Sequence, residues 1–162
     1  MAESRELETA LALGEQLVGE ERYQQAIDHF KVLAALHPKN PSVLFLLAGA
    51  FDSAGLEREA VAPYRAALTS GLSGAEDLRA RIQLASTLRN LGENEEAVQI
   101  LSQVCVQHPE HRAARAFLAL ALTSAGNPER AVSELLDLLL THPGPVERYQ
   151  RSLRWYADHL VA

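Results

Sequence analysis

Four short segments of this 162-residue chain echo one another in register: AIDHF at 26–30, AVAPY at 60–64, AVQIL at 97–101 and AVSEL at 131–135. Their leading alanines, Ala26, Ala60, Ala97 and Ala131, are spaced by 34, 37 and 34 residues, and an apolar residue follows each four places on: Phe30, Tyr64, Leu101 and Leu135. Pro38, Pro109 and Pro143 fall twelve places after their alanines, with Leu72 in that slot of the second copy. Upstream, a leucine precedes a small residue at Leu13-Gly14, Leu47-Ala48, Leu84-Ala85 and Leu118-Ala119, and a bulky apolar residue stands three places later at Leu17, Phe51, Leu88 and Leu122. Gly55, Gly92 and Gly126 then mark a break, where the first copy has Glu21 shortly after Gly19. A period of this length is the mark of a unit that cannot bury its apolar face alone and must stack on copies of itself.

Each landmark has a physical role in a helix-turn-helix unit. The small residue and the alanine let two helix backbones approach closely. The glycine supplies a turn in which a left-handed residue costs little. The proline closes the unit because it cannot extend the helix before it. Asn127-Pro128 has the form of a helix start, with asparagine as cap and proline in the first turn. Ala and Leu abound while the chain holds only four Phe, four Tyr and one Trp, which favours helix over strand.

These residues resemble the tetratricopeptide repeat, with its 34-residue Leu-Gly…Tyr…Ala…Phe…Pro skeleton, over most of the chain. The resemblance implies an all-α fold: a right-handed α-solenoid of four helix pairs, at about 7–40, 41–74, 78–111 and 112–145, forming one domain over residues 1–162. Three stretches, RIQLASTLRNLG at 81–92, RAFLALALTSAG at 115–126 and RYQRSLRWYADHL at 148–160, are similar to a short bacterial family of such proteins. That likeness implies a bacterial, cytoplasmic protein and neither a reaction nor a named ligand.

Departures from the skeleton carry their own expectations. The family's Trp slot holds Ala10, Leu44, Arg81 and Arg115. Pro63 lies inside the second helix of unit two, where a kink or an irregular start is expected. The three extra residues fall in SGLSGAEDL at 70–78, where Ser73 and Glu76 have capping-box spacing, so the next helix is expected to start early and run from about Ala75 to Asn90. Beyond Pro145, Val146, Tyr149, Leu153, Tyr156 and Leu160 recur at helical spacing. A capping helix over about 146–161 is expected there to cover the exposed end of the stack, with Trp155 slightly off its apolar stripe.

The formal net charge of −6 argues against a nucleic-acid binder that neutralises phosphates. The charge is uneven: residues 1–76 carry eleven acids and six bases, residues 77–162 ten acids and nine bases, all nine arginine, so a positive patch can exist locally. Cys105 is the only cysteine, which rules out an intrachain disulfide and a thiolate metal cluster. Glu3, Arg5, Glu6, Glu8 and Glu15 break up residues 1–20, so no signal peptide is expected there. No run reaches the ~20 apolar residues of a membrane span.

Catalytic signatures are lacking: there is no phosphate loop and no nucleophile elbow. His37, His108 and His142 each precede a closing proline, a regularity that reads as structural, with histidine near a helix C-terminus donating to free carbonyls. His108 and His111 flank Glu110, yet a metal needs three or four converging ligands. Cys105 between Val104 and Val106 reads as a small buried residue. Neither an enzyme nor a cofactor is expected.

What the resemblance implies instead is a concave groove lined by the first helix of each unit, binding a protein or peptide partner. The superfamily's groove slots correspond here to Glu8, Leu11, Glu15 and Val18 in unit one and Ser42, Phe45, Gly49 and Asp52 in unit two. Unit three supplies Arg79, Ile82, Gln83, Ser86, Arg89 and Asn90, and unit four Ala113, Ala116, Leu120 and Thr123. An apolar floor at Leu11, Phe45, Ile82 and Leu120 beside a polar stripe on unit three suits a peptide with an acidic feature near Arg79 and Arg89. The alternative is that both arginines are solvated or pair with Glu76 and Glu93. The carboxylate clamp of some superfamily members has its matching slots at Leu11, Glu15, Leu46, Arg79 and Gln83, of which only Arg79 fits. A second reading is a homodimer formed through the terminal helix and Trp155.

Overall fold

The computed structural model describes residues 2–141, and among them eight α-helices follow one another with no strand: α1 (Ala2–Gly19), α2 (Tyr23–Leu36), α3 (Pro41–Ser53), α4 (Glu57–Thr69), α5 (Gly74–Asn90), α6 (Asn94–Gln107), α7 (Arg112–Ser124) and α8 (Pro128–Thr141). The chain divides into two compact units, Met1–Leu91 and Gly92–Ala162. In the first, α1 packs on α2 and α3 on α4, while α1, α3 and α5 contact one another in succession. In the second, α7 packs on both α6 and α8. The terminal helix expected at 146–161, Trp155, His142 and Pro143 lie outside the described residues.

The repeat alanines form the core. Ala26, Ala60, Ala97 and Ala131 are all buried, as are Gly14, Ala48, Ala85 and Ala119. Phe30, Tyr64 and Leu101, four places after their alanines, are fully enclosed. Each such side chain contributes about 1.5–3 kcal/mol by leaving water. In the fourth copy Leu135 is 41% exposed. Gly14 has a specific cause: a Cβ there would lie 2.3 Å from Cζ of Phe30. Position 14 has no room for the alanine that the other copies carry while a phenyl ring fills the facing slot.

The turns between paired helices share one device. Gly55, Gly92 and Gly126 have φ of 74°, 84° and 78°, and Glu21 takes the same left-handed conformation at 60°. In three of these turns the next residue's N–H reaches five residues back: Arg22 to Leu17 O at 2.9 Å, Leu56 to Phe51 O at 2.9 Å and Asn127 to Leu122 O at 2.8 Å. This bond satisfies a carbonyl that the ending helix leaves open. Where the second copy lacks its proline, α4 ends by the same means: Gly71 has φ 92°, Leu72 N–H donates to Ala67 O at 3.2 Å, and Leu72 itself is buried.

Three local expectations meet the structure differently. α5 does begin early, at Gly74, but Ser73 makes no side-chain cap bond. Glu76 instead accepts from Ser42 Oγ at 2.9 Å, so its carboxylate ties α5 to α3 and does not close a capping box. α4 has no irregular start at Pro63; it begins at Glu57, and Pro63 is carried inside a continuous helix to Thr69. His37 and His108 cap α2 and α6 through their backbone N–H groups, which donate to Leu33 O and Val104 O at 2.8 Å each, not through their imidazoles.

Candidate functional site

Two polar clasps, each joining positions one repeat apart, set α3 beside α5. Near the helix starts, Ser42 donates to Glu76. Near their ends, Asp52 Oδ1 lies 2.9 Å from Thr87 Oγ1, and Asp52 Oδ2 accepts from the Tyr64 hydroxyl of α4 at 3.3 Å. The Thr87 hydroxyl is also 2.9 Å from Gln83 O, so its single proton has two acceptors. Burial is the main reason the Asp52 carboxyl is pushed up to about 6, against the lowering effect of its bonds to Thr87 and Tyr64. Ser42 and Asp52 therefore hold helices together and are not open groove groups.

Between the clasps a pocket of about 240 Å³ opens among α1, α2, α3 and α5. Its apolar wall is Val18, Phe30, Phe45, Leu46 and Ala50, and its polar rim is Glu15, Ser53, Arg79 and Gln83. Gly49 forms a notch in that wall: an added Cβ would meet no atom within 4 Å. The Arg79 guanidinium lies over the Phe45 ring at 5.1 Å from its centroid. This contact fixes a cation at the rim through the ring's negative face. Arg79 forms no ion pair with Glu76 among the described residues. Gln83 Oε1 is buried with no hydrogen-bond partner, an arrangement that typically costs about 1–3 kcal/mol.

Of the residues expected from sequence, Glu15, Phe45, Arg79 and Gln83 come together in this pocket, with Val18 and Gly49. Leu11 is half-buried on α1 and is not among the pocket residues. Ile82 is fully enclosed in the core and offers no groove floor. Ser86 and Asn90 lie on α5 outside the pocket, as does Arg89, which donates to Asn90 Oδ1 at 3.0 Å. Leu120, with Ala113 and Ala116, is buried in the second unit and presents no open floor there. Phe30, Leu46 and Ala50 of the wall and Ser53 of the rim were missed. Leu46 was in view only as a failed clamp position, and helical spacing puts it beside Phe45, Gly49 and Ala50 on one face.

Burial, with Glu134 second, pushes the Cys105 thiol up to about 11, so it is not a thiolate at neutral pH. Two arginines in the skeleton's Trp slot meet acids: Arg81 makes a two-point pair with Asp77 at 2.8 and 2.9 Å, and Arg115 lies 3.8 Å from Glu134. Among the described residues no group of three or more His, Cys, Asp or Glu could hold a metal, and no helix is long and apolar enough to cross a membrane.

Helix pairs turned on left-handed residues and stacked through buried small residues define an α-helical repeat protein. A model of the tetratricopeptide repeat family matches residues 41–160. The chain belongs to that family. A search of curated protein sequences finds no match. Among solved structures, Pseudomonas aeruginosa PilF is similar at 19% identity and a TM-score of 0.75, covering 99% of this chain and 73% of its own. The repeats of a putative kinesin light chain from Podospora anserina give 20% identity and 0.74, covering 91% and 82%. MamA from Desulfovibrio magneticus gives 15% and 0.74, covering 93% and 85%. Likeness at these identities establishes the fold alone.

Proposed function

We propose that the chain is a scaffold that binds a peptide segment of a partner protein in the pocket between the two α3–α5 clasps. The observation that carries this reading is Arg79, a cation stacked on Phe45 without an ion-pair partner among the described residues, at the rim of an apolar wall. A volume of about 240 Å³ suits one large apolar side chain, and the guanidinium suits an acidic neighbour in the same peptide. Glu15 at the opposite charge and the orphan acceptor on Gln83 favour a donor group beside it.

Gly49→Leu tests the reading directly. An added Cβ meets no atom within 4 Å there, and replacing a helical glycine favours the helix by roughly 0.5–1 kcal/mol. The variant should fold at least as stably as wild type yet bind weakly to peptides selected from an array of acidic-apolar sequences. Fluorescence anisotropy should show at least a tenfold loss of affinity. Arg79→Glu should lose preference for the acidic position in the same peptides. Equal binding by wild type and Gly49→Leu would show that the partner docks elsewhere.

A further inference from the structure

The two proline-closed junctions among the described residues are built to one plan. In His37-Pro38-Lys39-Asn40, Asn40 N–H donates to His37 O at 3.0 Å, and Asn40 Oδ1 accepts from Val43 N–H at 3.1 Å as α3 begins. In His108-Pro109-Glu110-His111, His111 N–H donates to His108 O at 2.9 Å, and His111 Nδ1 accepts from Ala114 N–H at 3.1 Å as α7 begins. An imidazole nitrogen stands where the other junction uses an amide oxygen. The substitution has a consequence in protons. An amide carbonyl accepts throughout the ordinary pH range. Nδ1 accepts only while it is unprotonated. Protonation turns that acceptor into a donor facing another donor, and it also sets a positive charge at a helix N-terminus, where the dipole opposes it.

We propose that His111 is a proton-sensitive N-cap, so that acidification unfastens the first turn of α7 while the Asn40-capped start of α3 stays closed. The charged groups that act on the imidazole are His108 at the end of α6 and Glu110 in the turn; further along α7 stand Arg112 and Arg115, the latter paired with Glu134 of α8. Burial, the largest influence, holds the His111 imidazole below the ordinary value of 6.5; His108 acts in the same direction, while a backbone hydrogen bond and Glu110 oppose it. A value lowered in the folded state means that the cap's contribution is present above 6.5 and lost as pH falls through the lowered value. The turn that loosens carries Ala113 and Ala114, both buried.

Hydrogen exchange of the Ala114 amide tests this, corrected for its intrinsic pH dependence, in wild type, His111→Asn and His111→Ala between pH 7.5 and 5. An N-cap is typically worth about a fivefold change in local opening. Wild type should match His111→Asn at pH 7.5 and lose protection toward the His111→Ala level as pH falls, by up to about fivefold, while His111→Asn holds its protection throughout. Imidazole ¹⁵N shifts at pH 7.5 should report the Nε2–H tautomer. Wild type tracking His111→Asn over the whole range, or an Nδ1–H tautomer at pH 7.5, overturns the proposal.

Discussion

In residues 2–91 the stacking of one repeat on the next is fixed by side chains that find partners 34 and 35 positions away, Ser42 with Glu76 and Asp52 with Thr87. In residues 92–141 the described ties are of another kind. α7 buries Ala113, Ala114, Ala116, Ala119 and Ala121 with Phe117, Leu118, Leu120 and Leu122, and its neighbours are held by the Arg115–Glu134 pair and by Asn94 Nδ2 donating to Ser124 O at 3.0 Å. A helix lined with alanine packs by close approach and tolerates small slips. A buried carboxylate accepting from two hydroxyls fixes register and leaves space beside it. The pocket lies where register is held by polar clasps.

The comparison predicts opposite responses to pH. Asp52 has a raised value of about 6 in the folded state, so its contribution is fully present below the unfolded value of 3.8 and lost as pH rises through about 6. His111 runs the other way. Asp52→Asn should therefore remove a stability difference of about 2 kcal/mol between pH 4.5 and 7.5. Urea midpoints of wild type and variant across that range give the answer, and parallel curves would dissolve the contrast between the units.

Close approach can be broken next. Gly14→Ala places a Cβ against the enclosed Phe30 ring and should cost about 1–3 kcal/mol. Adding Phe30→Leu reproduces the Ala85/Leu101 combination of the third copy and should recover much of that loss, a non-additivity that a thermal melt series would reveal. Smallest, Glu21→Gly should stabilise by about 0.5–1 kcal/mol, since Glu21 alone among the four left-handed turn residues carries a side chain. A lower melting temperature would mean that the Glu21 side chain contributes more than its backbone costs.

Much of this was legible in the chain itself. The alanine spacing located the helix pairs, the glycines located their turns, and the extra residues before Ala75 lengthened α5. Six of the ten pocket residues, Glu15, Val18, Phe45, Gly49, Arg79 and Gln83, were visible as groove slots. Asp52 was read as a groove group and is a clasp. Ile82 and Leu120 were read as floor and are core. Glu76 was read as a local cap and bonds 34 residues away.

The sequence by itself determined which residues form helices, where the chain turns and which face each helix hides, because these follow from neighbours within a turn or two and from a repeating period. Tertiary structure alone decided which groove-slot side chains stay open, that Phe30 excludes a methyl at position 14, and that an imidazole replaces an amide at the α7 cap. Those outcomes depend on how helices abut at ångström scale and on which polar atoms burial forces to find a partner.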